Sequence, residues 1–516
     1  MKKTIFYCGC IVILFCWGTG CSKSIDEKYL SYPALNPAKT DLDAGTWKTI
    51  LLTAPDEFPV AAPAATNTPG YIAEINEIKG WQSNLTEKQK DIIRYWSAGA
   101  VLRWNEILRE LVAKHNLAPY QNDDGTYPVP SANNPFAYPV FPFANPPYAA
   151  RAYAYVSGAQ YDALVAAYHY KKLYNRPAPY KVDSVVKALV TKSDLPSYPS
   201  EDGVVIGATV ELLKLLFPAD LAFIQQKTDE HKLYRIMAGA NVRSDLDAGE
   251  ALGKAVAQRF TARARTDRAG TAGGTPAIWA QLEQQTTATG EMPWISVESP
   301  KRPPMLPLFG KVRTFLFDSA TLVSIRPPKP PSTSSPEFKK ELEEVAYYSE
   351  NPTRERMRIV HFWADGVNTP TPAGHWNAVA ADEFVNLQFS EVRWARNMAL
   401  LNMAMMDAAI ACWDAKYLYF NPRPSQADGN IKTLTGLPNF PSYTSGHSTF
   451  SGAAATLLAH IIPSKAGELD AMATEASLSR LYGAIHYRSD CEQGLLCGKR
   501  VGAFAVDRAK SDGAGN

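Results

Sequence analysis

An internal match at a fixed offset constrains this chain more than any other feature. Ser197-Tyr198-Pro199-Ser200 and Ser442-Tyr443-Thr444-Ser445 stand 245 residues apart, and the correspondence runs on without gaps. The same offset pairs Arg151 with Arg396, Asp162-Ala163 with Asp407-Ala408, Lys171 with Lys416 and Leu173-Tyr174 with Leu418-Tyr419. Further on it pairs Gly207-Ala208 with Gly452-Ala453, Arg235 with Arg480, Arg243-Ser244-Asp245 with Arg488-Ser489-Asp490 and Gly253-Lys254 with Gly498-Lys499. One offset kept over about a hundred residues is hard to obtain by chance, so the chain reads as two related halves. Upstream, Tyr95-Trp96 and Trp104-Asn105 match Phe362-Trp363 and Trp376-Asn377, with extra loop residues in the second copy.

Both copies read as helix. Apolar residues recur at three- and four-residue spacing through Ala150 to Tyr174, Val204 to Leu216, Arg396 to Tyr419 and Phe450 to Ile462, and alternating strand-like runs are scarce. Ser335-Pro336-Glu337 is a helix start, with a capping side chain followed by Pro at the first helical position. The expected fold is all-α, two related helical bundles packed together. Residues 21–265 form the first half, 337–516 the second, and 266–336 a Pro/Gly/Thr-rich connection over the surface, ending in the non-helical run Pro327 to Pro331. A second Pro/aromatic stretch, Tyr127 to Pro147, precedes the first copy. With 46% hydrophobic and 11% aromatic residues there is material for a large core, which excludes large-scale disorder. Fifty-three basic against 51 acidic side chains exclude nucleic acid as an expected partner.

Lys2 and Lys3 ahead of the apolar run Ile5 to Trp17 make a secretory leader over residues 1–20, too short to span a bilayer. Gly18-Thr19-Gly20 before Cys21 resembles a bacterial lipoprotein cleavage site, which would make Cys21 the lipid-bearing N-terminus. The usual Leu three positions before the cysteine is missing, and a plain secretory leader is the alternative. The expectation is an exported cell-envelope protein, at the periplasm or outer membrane, touching the membrane only through its lipid. Once Cys8, Cys10 and Cys16 leave with the leader, Cys412, Cys491 and Cys497 make no disulfide framework and read as core residues. No CxxC, HExxH or Walker-type motif is present.

Comparing the copies isolates the chemistry. At the common offset His447 faces Asp202, His486 faces Asn241, Gly446 faces Glu201 and Arg423 faces Ala178. The second half thus holds Lys416, Arg423, Ser445-Gly446-His447, Arg480 and His486, a set suited to a tetrahedral or trigonal oxyanion. Lys and Arg give fixed positive charge, and a Ser-Gly turn ahead of a helix aims backbone N–H groups at the anion. Glu201 in the first copy would repel it. The two histidines can divide the work, one as nucleophile or ligand to the central atom, the other as proton donor to a leaving oxygen. Taken singly, each residue is equally a surface Lys, a capping Ser or a core His; the set is what points to a site.

The spacing of Lys416 with Arg423-Pro424, of Pro441-Ser442-Tyr443-Thr444-Ser445-Gly446-His447, and of Ser479-Arg480 with His486 and Asp490 resembles the three-part signature of vanadium-dependent haloperoxidases and type 2 phosphatidic acid phosphatases. Phe362-Trp363-Ala364-Asp365, Gly374-His375-Trp376-Asn377 and Ser335-Pro336-Glu337-Phe338 are similar to stretches of bacterial haloperoxidase-like proteins, and the doubled helical body resembles the haloperoxidases more than the shorter, membrane-embedded phosphatases. The resemblance implies His486 as the covalent ligand of vanadate, or as the phosphoryl acceptor in a phosphatase, with His447 as its acid/base partner. It implies that Lys416, Arg423 and Arg480 hold the equatorial oxygens and that Ser445 and the Gly446 N–H complete the cradle. The implied cofactor is vanadate, activating hydrogen peroxide for halide oxidation; a phosphatase acting on a phosphate ester would need none.

Trp413, three residues before Lys416 and so on the same helix face, and Phe440 match aromatic positions on the halide side of chloroperoxidase-like sites, although core packing accounts for them equally well. Asp365 is similar to a family carboxylate that pairs with the third-motif arginine, here Arg480. Asp490 would orient His486 across one turn if the helix continues there. His361 and Asp365 share i, i+4 spacing, but no third ligand converges on them. A haloperoxidase is the expectation, a phosphatase the alternative, and a catalytically silent binding lipoprotein a third reading that the retention of both His447 and His486 opposes.

Overall fold

The computed structural model describes residues 32–117, 122–124, 145–297 and 301–515, and every regular element among them is a helix. The leader, Cys21 and most of the Tyr127 to Pro147 stretch lie outside the described residues.

The 245-residue spacing holds for the helices themselves. Pro146–Tyr174 corresponds to Glu391–Tyr419, Pro179–Val182 to Pro424–Ala427, Glu201–Leu216 to Gly446–Ile461 and Leu221–Met237 to Ala466–Tyr482, each at both ends; Arg243–Thr266 and Arg488–Lys510 share their start. Local chemistry fixes these ends. Asn145 and Ser390 cap the first pair by accepting the N–H of Tyr148 and Arg393, and Asn175 and Phe420 close it in left-handed conformation, each at φ 46°. Ser200 and Ser445 cap the second pair in the same way. Apolar periodicity places these starts three to five residues late, because the first turns carry Pro, Glu or Gly.

The two long helices, Pro146–Tyr174 and Glu391–Tyr419, pack against each other at the centre. The second is long and apolar enough to cross a membrane, yet its apolar window is wholly buried in the protein, which makes it a core helix. The two bundles share one hydrophobic core, in which Trp104, Tyr153 and Phe260 of the first half are continuous with Trp376, Met406 and Phe450 of the second. A buried amide ladder crosses between the halves: Asn105 donates to Asn377 at 2.7 Å and Asn377 to Asn402 at 2.7 Å, so no amide there is left unsatisfied.

The connecting segment is pinned by Asp407, which accepts the N–H groups of Phe315 and Leu316 at 2.7–3.0 Å, as Asp162 accepts those of Ile50, Leu51 and Leu52 at 2.6–3.1 Å. Pro327 to Pro331 carries no helix, but Pro276–Ala288 and Ser319–Ser324 do. Ser335 caps Pro336–Glu350 by accepting from Phe338 at 3.1 Å. Cys412, Cys491 and Cys497 are buried free thiols. Gly452 and Gly498 seat Gly446–Ile461 directly on Arg488–Lys510, since a Cβ on either would collide with the backbone of the facing helix. That close approach brings the Ser445 end of one helix to the His486 end of the other.

Candidate active site

The chemistry-bearing residues of the second half sit at helix ends that meet around one cavity. Lys416 lies in the last turn of Glu391–Tyr419 and Arg423 in the loop just after it; Ser445 caps Gly446–Ile461; Arg480 lies in the last turn of Ala466–Tyr482; His486 precedes Arg488–Lys510. The cavity, about 220 Å³, is lined by Gly446, His447, Arg480 and His486 on one side and by Trp413, Phe440 and Met305 on another. Lys416, Arg423 and Ser445 are buried against this lining.

Hydrogen bonds fix the state of His486. Its Nδ1 stands 2.9 Å from Asp490 Oδ2, which also accepts the Tyr487 N–H at 3.1 Å and the Ser442 hydroxyl. The network therefore assigns the proton to Nδ1 and leaves a lone pair on Nε2, where Arg423 Nη1 donates at 3.0 Å. Asp490 reaches His486 without the helical turn expected of it: the helix begins at Arg488, and the carboxylate folds back over the helix start from its third position. Burial, and then Arg423, Lys416 and Arg480, hold His486 well below the ordinary histidine value, so it is a neutral base.

The cations around it are buried without an ion-pair partner. Lys416 Nζ donates to the carbonyls of Pro441 at 2.8 Å and Ser442 at 2.9 Å; Arg423 donates to those of Phe440 at 2.9 Å and Ile485 at 2.8 Å; Arg480 donates to Ser479 Oγ at 2.8 Å and the Val360 carbonyl at 3.2 Å. Among the described residues none of the three forms an ion pair with a carboxylate, and Arg423 Nη2 is buried with no hydrogen-bond partner. Burial brings Lys416 down to about 7, with Arg423 adding to the effect, and lowers both guanidinium groups. An unpaired buried charge costs several kcal/mol, which an incoming anion would offset. Gly446 keeps room for one: a Cβ there would meet only the Trp413 ring, at 3.9 Å. The free N–H groups at the start of its helix face the same space.

Asp365 is placed differently from expectation. It does not pair with Arg480; its Oδ1 stands 3.0 Å from His375 Nδ1 and its Oδ2 3.5 Å from His447 Nε2. The reason is backbone conformation. The preceding helix ends at Phe362, and Asp365, Asn368 and Thr371 take left-handed φ values of 45°, 61° and 66° in a loop that Asn116 clamps by donating to the carbonyls of Gly366 and Thr369. The same turn carries Asp365 away from His361, which points to solvent. Burial raises the Asp365 carboxyl, but the adjacent His375 and His447 outweigh it and hold it below the usual carboxylate range. Burial and Arg480 bring His447 down to about 4, against the pull of Asp365.

Trp413 and Phe440 meet with ring centroids 5.0 Å apart and form one wall of the cavity, with Lys416 Nζ 4.9 Å from the Phe440 ring. Trp413 Nε1 donates to the Met305 carbonyl at 3.2 Å, so the connecting segment supports this wall. Two groups went unseen in the sequence. Ser442 reaches Asp490, but it is present in both copies and so gave no contrast. His375 stands beside Trp376, where the first copy has Arg103 beside Trp104, so the signal that marks it is the same contrast between copies that exposes His447 and His486.

Residues 397–510 match the family model described as the PAP2 superfamily. Among solved structures, the chain is similar to a bacterial vanadium-dependent iodoperoxidase described as the first of its kind, with a TM-score of 0.57 at 22% identity over 82% of this chain and 97% of that one. It is also similar to a bacterial vanadium-dependent chloroperoxidase in its holo form (TM-score 0.51, 13% identity, 78% of this chain and 100% of that one) and its apo form (0.50, 15%, 74% and 97%). A comparison with curated proteins finds no significant match. The fold is therefore that of the vanadium-dependent haloperoxidases, and Lys416, Arg423, Ser445, Gly446, His447, Arg480 and His486 all lie in the stretch that matches the PAP2-superfamily model.

Proposed function

We propose that this chain is a vanadium-dependent haloperoxidase-like enzyme, with vanadate held on His486. One observation carries the reading: three buried cations without an ion-pair partner surround a histidine whose Nε2 carries the lone pair and meets only the Arg423 guanidinium. That donor set fits vanadate. Lys416, Arg423 and Arg480 would hold its oxygens, the Gly446 N–H and Ser445 would complete the cradle, and His486 Nε2 would be its protein ligand. Bound vanadate supplies the Lewis-acidic centre at which hydrogen peroxide is polarised for attack by halide.

The residues of the chain do the rest. Asp490 and Ser442 keep the Nδ1 proton in place and hence the lone pair on Nε2. His447, neutral at pH 7, would take a proton from an incoming peroxide. The Trp413–Phe440 wall excludes water from one side of the cavity and supports the halide reading, as does the activity named for the iodoperoxidase and chloroperoxidase of the same fold. The composition of the leader supports export and attachment through Cys21.

A phosphatase is the second reading, favoured by the fact that His486 and His447 need no further group for it. His486 Nε2 would attack phosphorus as the bond to the ester oxygen breaks, His447 would protonate that leaving oxygen, and water would then release phosphate from the histidine. The proton on His447 would depend on the bound dianion raising its affinity for one.

A paired assay on the purified chain separates them: halogenation of a phenolic dye with vanadate, peroxide and bromide or iodide, beside hydrolysis of a chromogenic phosphate ester without vanadate, each repeated with His486→Ala. Vanadate-dependent halogenation lost in the variant is the expected result. Ester hydrolysis lost in the variant, with no halogenation in the parent, would replace the first reading by the second.

A further inference from the structure

Asp365 lies between two groups that could use its charge. Arg480, its expected partner, is buried without a carboxylate, and His447 is buried with Nε2 unsatisfied. Oδ2 faces His447, while the other oxygen is taken by His375 Nδ1 at 3.0 Å, a true hydrogen bond. His375 is itself immobilised. Its ring stacks on Trp363 at 4.4 Å and 22° and meets the edge of Phe362 at 5.0 Å, and Trp363 is anchored by its N–H to Glu475 at 3.0 Å. His375 thus holds one oxygen of a carboxylate whose other oxygen faces the acid/base candidate.

We infer that His375 is a positioning residue: it keeps Asp365 on His447 and off Arg480. Two consequences follow for the cavity. Arg480 stays without an ion pair and available to a bound oxyanion, and His447 keeps a carboxylate 3.5 Å from Nε2, which favours a proton on that nitrogen and leaves Nδ1 turned away from Asp365. The groups that face His447 are Asp365 from the loop, His375 behind it, Arg480 from Ala466–Tyr482 and His486 from the start of Arg488–Lys510. Of these only Asp365 is negative, so the choice it makes sets the charge on both sides of the cavity.

This assignment rests on the reading of the cavity as an anion site, and two readouts keep the failures apart. The first, the titration of the His447 imidazole by NMR in the full chain, needs neither ligand nor turnover. In His375→Leu, Asp365 is released to Arg480, so His447 should titrate lower by about one pH unit, as it should in Asp365→Asn. His375→Asn, whose side-chain amide can donate in place of Nδ1, should stay at the parent value. Adding His375→Leu to Asp365→Asn should change nothing further. The second readout is the Kd for inorganic phosphate, which should weaken about tenfold in His375→Leu as Arg480 acquires a carboxylate and remain near the parent value in His375→Asn.

A His447 titration that does not move in His375→Leu, or that moves as much again when the substitution is added to Asp365→Asn, would overturn the inference. If His375→Leu does not fold, the comparison of His375→Asn with Asp365→Asn decides: equal titrations for the two would reject it. Should the parent fail to bind phosphate or vanadate at all, the anion-site reading falls, and the NMR series still decides the positioning role.

Discussion

The two halves build the same cationic corner and complete it in opposite ways. In the first, Lys171 Nζ reaches Glu201 at 2.6 Å and Arg235 Nη2 reaches the other oxygen of the same carboxylate at 2.9 Å, so a side chain bridges the two cations. In the second, Lys416 and Arg480 occupy the corresponding positions and Gly446 stands where Glu201 does, with room for a Cβ that would touch only the Trp413 ring. The electrostatics follow. Burial depresses Arg235, but Asp202 and Glu201 more than restore it, whereas burial leads at Arg480 and leaves it lowered. Glu201 does not repel an anion from the first corner; it takes the anion's place. A buried pair of cations is costly unless compensated, and one half carries its compensation covalently while the other has a glycine at that position.

The most severe way to break this comparison is to transfer the carboxylate. Gly446→Glu should place an oxygen pair between Lys416 and Arg480, favoured also by the helix start, and should fill the space beside Gly446. We expect binding of phosphate and vanadate to fall by more than about a thousandfold, with melting temperature maintained or raised, because a desolvated charge partner is worth several kcal/mol. Calorimetric titration and thermal denaturation on one preparation test both halves of the statement. A variant that still binds either anion like the parent would show that the two corners are not equivalent.

The reverse change is smaller. Glu201→Gln leaves Lys171 buried and Arg235 without its bridge, and should cost about 2–3 kcal/mol of folding stability, less than for a fully buried pair because Glu201 is partly exposed. Phosphate should recover part of that loss if the vacated corner accepts an anion. Urea denaturation with and without phosphate is the measurement, and a loss within about 0.5 kcal/mol would mean that the carboxylate is ordinary surface chemistry.

A third effect distinguishes the halves by pH. Lys416 sits at about 7 in the folded protein, below the ordinary lysine value it regains on unfolding, so between these values the unfolded chain binds more protons than the native one. Ligand-free stability should therefore rise with pH through that window, by at most about 1.4 kcal/mol per pH unit from this group. Lys416→Met should remove that share of the slope, and saturating vanadate, by restoring the charge on the amine, should flatten it. Equal slopes for parent and variant between pH 7 and 9 would contradict the uncompensated-cation account.

How much of this was legible depended on whether contrast or spacing carried the signal. Arg423, Gly446, His447 and His486 were visible because the copies differ there, Lys416, Ser445 and Arg480 through the spacing of the three motifs, and the helices through their apolar periodicity, which misses the polar or proline-led first turns. Asp365 was not placed correctly, since its partner is decided by three left-handed residues in a loop that has no counterpart of equal length in the first half. Asp490 was paired with the right histidine through the wrong geometry, because i, i+4 spacing is shared by a helical turn and by a helix start that folds back. The meaning of Glu201 required distances: a carboxylate opposite a glycine reads as repulsion until it is seen to bridge Lys171 and Arg235.

The aromatic wall gives the finest distinction between the halves. Where the second has Trp413 and Phe440, the first has Tyr168 and Leu195. Phe440→Leu carries one first-half residue into the second and removes the ring whose centroid lies 4.9 Å from Lys416 Nζ and 5.1 Å from the Arg423 guanidinium carbon. Losing that cation–π contact should weaken phosphate or vanadate binding only about two- to fivefold, corresponding to about 0.5–1 kcal/mol. The KM for iodide or bromide should change more than the anion Kd, because the ring borders the open cavity and the cations lie behind it. If the anion Kd shifts as much as the halide KM, Phe440 serves the cradle through packing and the wall has no separate part in choosing the halide.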